Sequence, residues 1–203
     1  MPRIIDYPDV LGQLTADGLE CHYYNGGAFG YPAGGIVRGW IAAPDPTIKA
    51  EMLSNIRAVP AQNLPDLAAR VWLELLPGPV WVMPGSHWSY ELNYGSRQWL
   101  PDVLGQIGID SSNLISRTAA AAIEFALPEQ AALKSVIQNL LQKLTASDFT
   151  MAFPGRAAIC TIHHHQQLWW ASADAELIRR LDSLIEPGSA PSVGSRSKAD
   201  HHP

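Results

Sequence analysis

The sequence predicts an α/β chain of the α+β kind: an internally duplicated fold in which two α-β-α-β-β units share a mostly antiparallel sheet. Helices pack on one face of that sheet, and a pseudo-two-fold axis relates the halves. Three observations carry this expectation. One hexapeptide occurs twice, the long helical segments are apolar along a single stripe, and short apolar runs end at Pro-Gly turns.

The repeated hexapeptide is PDVLGQ, at Pro8–Gln13 and again at Pro101–Gln106, each followed by an aliphatic residue, Leu14 or Ile107. Self-similarity of this kind signals internal duplication. A second echo pairs Val82-Met83-Pro84-Gly85 with Ala152-Phe153-Pro154-Gly155. The first half then carries extra residues between the two echoes, in the Gly-rich segment 25–35 and the segment from Pro44 to Pro60.

Each element follows from its local chemistry. Pro8 and Pro101 suit the first turn of a short helix, where a missing N–H costs nothing. Strands are expected at 36–42 and 118–126. Helices follow at 64–76, with a stripe of Leu64, Leu67, Ala68, Val71, Trp72 and Leu75, and at 128–145, with Leu133, Val136, Ile137, Leu140, Leu141 and Leu144. These spacings are those of an amphipathic helix. Each helix leads into a strand (79–83 or 148–153), a Pro-Gly turn and a further strand (87–93 or 157–170). A closing helix is expected at 174–186. Residues 1–186 then form one domain with halves at about 7–94 and 100–172. Residues 187–203, rich in Ser, Pro and Gly, read as a disordered tail. In outline, duplicated units of this kind resemble the effector-binding domains of the gyrase-inhibitor-like group and the SOUL-type haem-binding proteins. That resemblance is one of architecture, with no shared motif.

Composition removes several classes of function. Hydrophobic residues make up 47% and charged residues 16%, with a formal net charge of −5. Attraction to nucleic acid or to an anionic membrane is not expected. No apolar run approaches the roughly 18 residues of a membrane span. The N-terminus lacks the apolar core of a signal peptide, and Cys21 and Cys160 do not form a disulfide framework. A cytoplasmic protein is the expectation.

Chemistry concentrates in Cys160-Thr161-Ile162-His163-His164-His165-Gln166-Gln167-Leu168-Trp169-Trp170. On a strand, His163 and His165 share one face about 7 Å apart, and His164 points to the other. Matching Gly85 to Gly155 gives His87 and Glu91 the same facing. His87, Glu91, His163 and His165 thus become a candidate metal set, suited to a divalent ion such as Zn²⁺ or non-haem Fe(II). The spacing departs from the metal-binding cupins, where a Glu follows the His-x-His. Cys160, Cys21 and Ser86 are candidate nucleophiles, but no triad can be assembled around them.

Arg38 and Glu124 are charges within apolar strands, which call for a partner or a ligand. With Trp40, Trp88, His87, His163 and His165 they outline a polar and aromatic site. The first functional expectation is therefore a module that binds a small molecule on the sheet face between the halves. The alternatives are a metal-dependent enzyme using the His/Glu set, and an assembly protein with a Trp-rich contact surface.

Overall fold

A computed structural model describes residues 1–22, 28–30, 38–43, 56–58, 61–115 and 121–185. The Gly-rich segment 25–35, the segment 44–60 and the strand expected at 118–126 fall partly outside the described residues, and the tail after residue 186 falls wholly outside them.

The chain runs β1 (Arg3–Ile5), α1 (Tyr7–Ala16), β2 (Glu20–His22), β3 (Ala28–Gly30), β4 (Arg38–Ala43), β5 (Ile56–Ala58), α2 (Leu64–Leu75) and β6 (Val80–Pro84). It continues through α3 (Trp88–Tyr90), a π-helical turn at Glu91–Gly95, α4 (Leu100–Gln106), α5 (Ser112–Ile115) and β7 (Ala122–Phe125). It ends with α6 (Gln130–Lys143), β8 (Phe149–Ala152), β9 (Ala158–His163), β10 (Gln167–Ser172) and α7 (Ala175–Ile185).

Eight strands form one sheet in the order β1-β7-β6-β8-β9-β10-β4-β5, and β2 and β3 pair separately. Within the large sheet every pairing is antiparallel except β4 with β5. The expected α+β architecture on a mostly antiparallel sheet is therefore present. Among the described residues, no helix is long and apolar enough to cross a membrane.

Strand alternation sorts the core into two layers. From β6, Val80 and Val82 face one layer, and Trp81 and Met83 face the other. The larger layer packs the stripes of α2, α4, α6 and α7 against Phe149, Met151, Cys160, Ile162, Leu168 and Trp170. The smaller layer packs Val10 and Leu14 of α1 against Trp81, Met83, Ala152 and Ile159. Helices on one face only is thus corrected: α1 covers the opposite face. A sheet whose central strands are apolar on both sides needs cover on both.

The two hexapeptides are both helical, with their prolines in the first turn. Both helices end on a left-handed glycine, Gly18 (φ 84°) and Gly108 (φ 80°), with Leu19 N–H bonding Leu14 O and Ile109 N–H bonding Leu104 O. This is the glycine cap that terminates helices without steric cost. α1 continues one turn further past the shared hexapeptide than α4, and the two helices lie in different core layers.

Two expected strands are replaced. Residues 88–93 are helical, with His87 extended ahead of them, because Trp88 and Leu92, four apart, are both buried on the same side. The segment 157–170 is not one strand but the hairpin β9–β10. Its last pair is His163 with Gln167, and residues 164–166 form the loop.

Candidate metal centre

The hairpin loop determines the site. A three-residue loop closes when its last residue adopts a left-handed conformation, and Gln166 does so with φ 58°. The chain reverses at His164–Gln166, so strand alternation no longer applies there. His163, His164 and His165 fan out on the same end of the sheet. One ligand nitrogen from each ring lies within 4.8 Å of those of the others. The rings of His163 and His164 stack at 4.2 Å between centroids, and His165 sits 4.2 Å from His164 and 4.9 Å from His163.

Strand register supplies the fourth member. Phe149 of β8 stands opposite Ile162 of β9, which sets Asp148 beside the turn. Oδ1 of Asp148 accepts hydrogen bonds from the backbone N–H of His164 at 3.0 Å and from its Nδ1 at 2.8 Å. The second carboxylate oxygen lies 3.9 Å from Nε2 of His163. The carbonyl of Asp148 accepts the N–H of Gly85 at 2.8 Å, so the ends of β6, β8 and β9 are tied together.

These contacts assign the ring protons. A carboxylate only accepts, so Nδ1 of His164 carries the proton and Nε2 keeps a free lone pair. This is the carboxylate–histidine arrangement that orients metal ligands. Nδ1 of His163 accepts the N–H of His165 at 3.2 Å, which leaves the proton of the neutral ring on Nε2. Burial lowers the pKa of His163 below its ordinary value; the Asp148 charge opposes this, and His164 and His165 add to the lowering. A neutral ring at neutral pH is the form that ligates metal.

The remaining residues singled out in the sequence lie elsewhere. His87 and Glu91 are not among the residues whose ligand atoms gather with His163 and His165, so the four-residue set does not assemble; the three consecutive histidines gather instead. The parity that joined them required strand 87–93, which is helical. Glu91 is fully buried, with its oxygens taken by Ser86 Oγ at 2.8 Å and Ser96 Oγ at 2.9 Å. His87 caps α3, and its Nδ1 is buried without a hydrogen-bond partner among the described residues. Trp88 is a core residue: its Nε1 donates to Ala121 O at 2.6 Å, and its ring meets Phe149 edge-on.

Glu124 accepts from Arg3 Nε at 2.6 Å and from Trp81 Nε1 at 2.9 Å. Burial raises its pKa, but the hydrogen bonds from Arg3 and Trp81 and the Arg3 charge lower it to below the ordinary value overall. Arg38 and Trp40 lie on β4, in register with Ser172 and Trp170; their side chains lie outside the described residues. Cys160 is buried, and burial pushes its thiol well above the ordinary value, which makes it a poor nucleophile. Asp148 was missed in the sequence. Its one legible signal is an acidic residue directly before an apolar strand, in Ser147-Asp148-Phe149.

No family model matches the chain, and neither the curated proteins nor the solved structures compared with it give a match.

Proposed function

We propose that this protein binds a divalent transition-metal ion at the β9–β10 turn, with His163, His164 and His165 as ligands and Asp148 as their outer partner. The observation that carries the reading is the convergence of three imidazole nitrogens within 4.8 Å. Imidazole suits Zn²⁺, Cu²⁺ and Ni²⁺. His164 presents Nε2 already oriented by Asp148. A tetrahedral ion with about 2.0–2.1 Å to each nitrogen holds its ligands roughly 3.3–3.4 Å apart. Binding therefore draws the rings inward and releases Nδ1 of His163 from the N–H of His165. Exposed His165 makes that adjustment easily, and the site keeps an open position for water or a further ligand.

Isothermal titration with Zn²⁺ tests this. The protein carries His201→Ala and His202→Ala, so that the tail contributes no imidazole. One ion should bind per chain in the micromolar range, and His164→Ala with His165→Ala should abolish it. Unchanged zinc binding in that folded double variant contradicts the reading.

The duplicated origin expected from PDVLGQ is also a proposal. It rests on the hexapeptide identity and on the glycine caps that end both helices. Related sequences would test it: both hexapeptides should vary together toward one common ancestral segment.

A further inference from the structure

A second feature lies beside the histidine turn. A groove of about 380 Å³ runs between α2 and α6, and four carboxamides line it: Gln62 ahead of α2, Gln138 and Gln142 on α6, and Gln166 from the turn. Ligand sites are typically of this size.

We propose that this groove binds a neutral, polyhydroxylated small molecule of the saccharide class. Each carboxamide offers a donor pair and an acceptor in a fixed plane, which matches hydroxyls that both donate and accept. All four side chains are exposed and, among the described residues, make no hydrogen bond within the protein, so a ligand's hydroxyls would replace the water on them. The charges in the lining cancel, because Lys134 of α6 is ion-paired with Asp66 of α2. An ionic ligand would have to disrupt that pair, whereas a neutral one leaves it whole. Pro65 and Leu141 add the apolar surface that the C–H face of a sugar ring needs.

Gln166 supplies an independent argument. It is the one non-glycine residue with positive φ among the described residues. Glycine or asparagine takes this conformation, which the three-residue loop requires, at lower cost. Gln166 gives up that advantage and places a carboxamide in the groove. The proposal is separate from metal binding, and Gln166 touches the metal reading only as the neighbour of His165.

The experiment is an NMR titration of metal-free protein, in the presence of chelator, following the side-chain NH₂ signals of glutamine. The probes are glucose, N-acetylglucosamine, maltose and trehalose at millimolar concentration, with inorganic phosphate as the anionic comparison. At least one saccharide should shift the signals of Gln62, Gln138, Gln142 and Gln166 saturably, and phosphate should not. Gln138→Ala should weaken that saccharide about tenfold, the loss expected for a hydrogen bond of ordinary strength. Gln166→Gly, whose backbone fits the turn without strain, should melt no lower than the parent and lose most of the shift. The proposal is overturned if no saccharide moves these signals, if phosphate moves them instead, or if Gln166→Gly binds as well as the parent.

Discussion

The carboxylate of Asp148 holds His164 at two points, accepting from its backbone N–H at 3.0 Å and from its ring Nδ1 at 2.8 Å through one oxygen. That double contact fixes both the path of the turn and the tautomer of the ring, and so decides which nitrogen of His164 faces outward. Asp148 acts on the proposed metal through its ligands, on His164 by hydrogen bonds and on His163 by its nearby charge.

Replacing Asp148 with asparagine should therefore weaken zinc more than it weakens the fold. Loss of an outer-shell partner of this kind typically costs about 10–100-fold in metal affinity. Zinc titration and thermal melting of the same Asp148→Asn protein provide the comparison. An unchanged zinc affinity would show that Asp148 serves the turn alone.

The metal-free protein should lose stability as the pH falls through the histidine range. The folded pKa of His163 lies below its ordinary 6.5, so the unfolded chain takes up the proton first. The contribution is complete above about pH 6.5 and is lost as the pH falls toward the folded value. Glu124, also lowered, from 4.5, acts in a separate and more acidic window. Melting curves over about pH 8 to 5 should show the first loss, and His163→Ala should flatten it.

Gly95 closes the π-helical turn against Glu91. A Cβ added there would lie 2.9 Å from Oε2 of Glu91 and 3.1 Å from the Tyr90 ring. That oxygen is buried and held by Ser96, so it cannot swing away. Gly95→Ala should destabilise by about 1–3 kcal/mol, as overpacking does. Chemical denaturation measures this, and a change near zero would show that the turn adjusts freely.

Much of this arrangement was legible in the sequence where periodicity and chain punctuation agree. The stripes of α2 and α6 and the prolines that open α1 and α4 point to the observed helices. The histidine turn was not legible, because His164, His165 and Gln166 carry none of the Gly, Asn or Pro signals of a hairpin. The reversal rests on a glutamine in a left-handed conformation. In 87–93, the polar residues His87, Ser89, Glu91 and Asn93 imitate strand alternation. Burial of Trp88 and Leu92 on one side makes the segment helical, and Glu91 is drawn inside by two serines. Asp148 depends on the register between β8 and β9, which no local pattern specifies.

Glu124 should prove structural. Glu124→Ala leaves the indole N–H of buried Trp81 without its acceptor, at a cost of about 1–3 kcal/mol. Arg3 is exposed, and Arg3→Ala should cost clearly less. Equal losses in denaturant melts of the two variants would show that the ion pair, not the indole, dominates.

X-ray absorption on the zinc-loaded protein carrying His201→Ala and His202→Ala tests the central claim most directly, because it counts the imidazoles around the ion. The account predicts three histidine nitrogens at about 2.0–2.1 Å, and no bound zinc when His164 and His165 are both replaced by alanine. A zinc ion with fewer than three histidine ligands would contradict it.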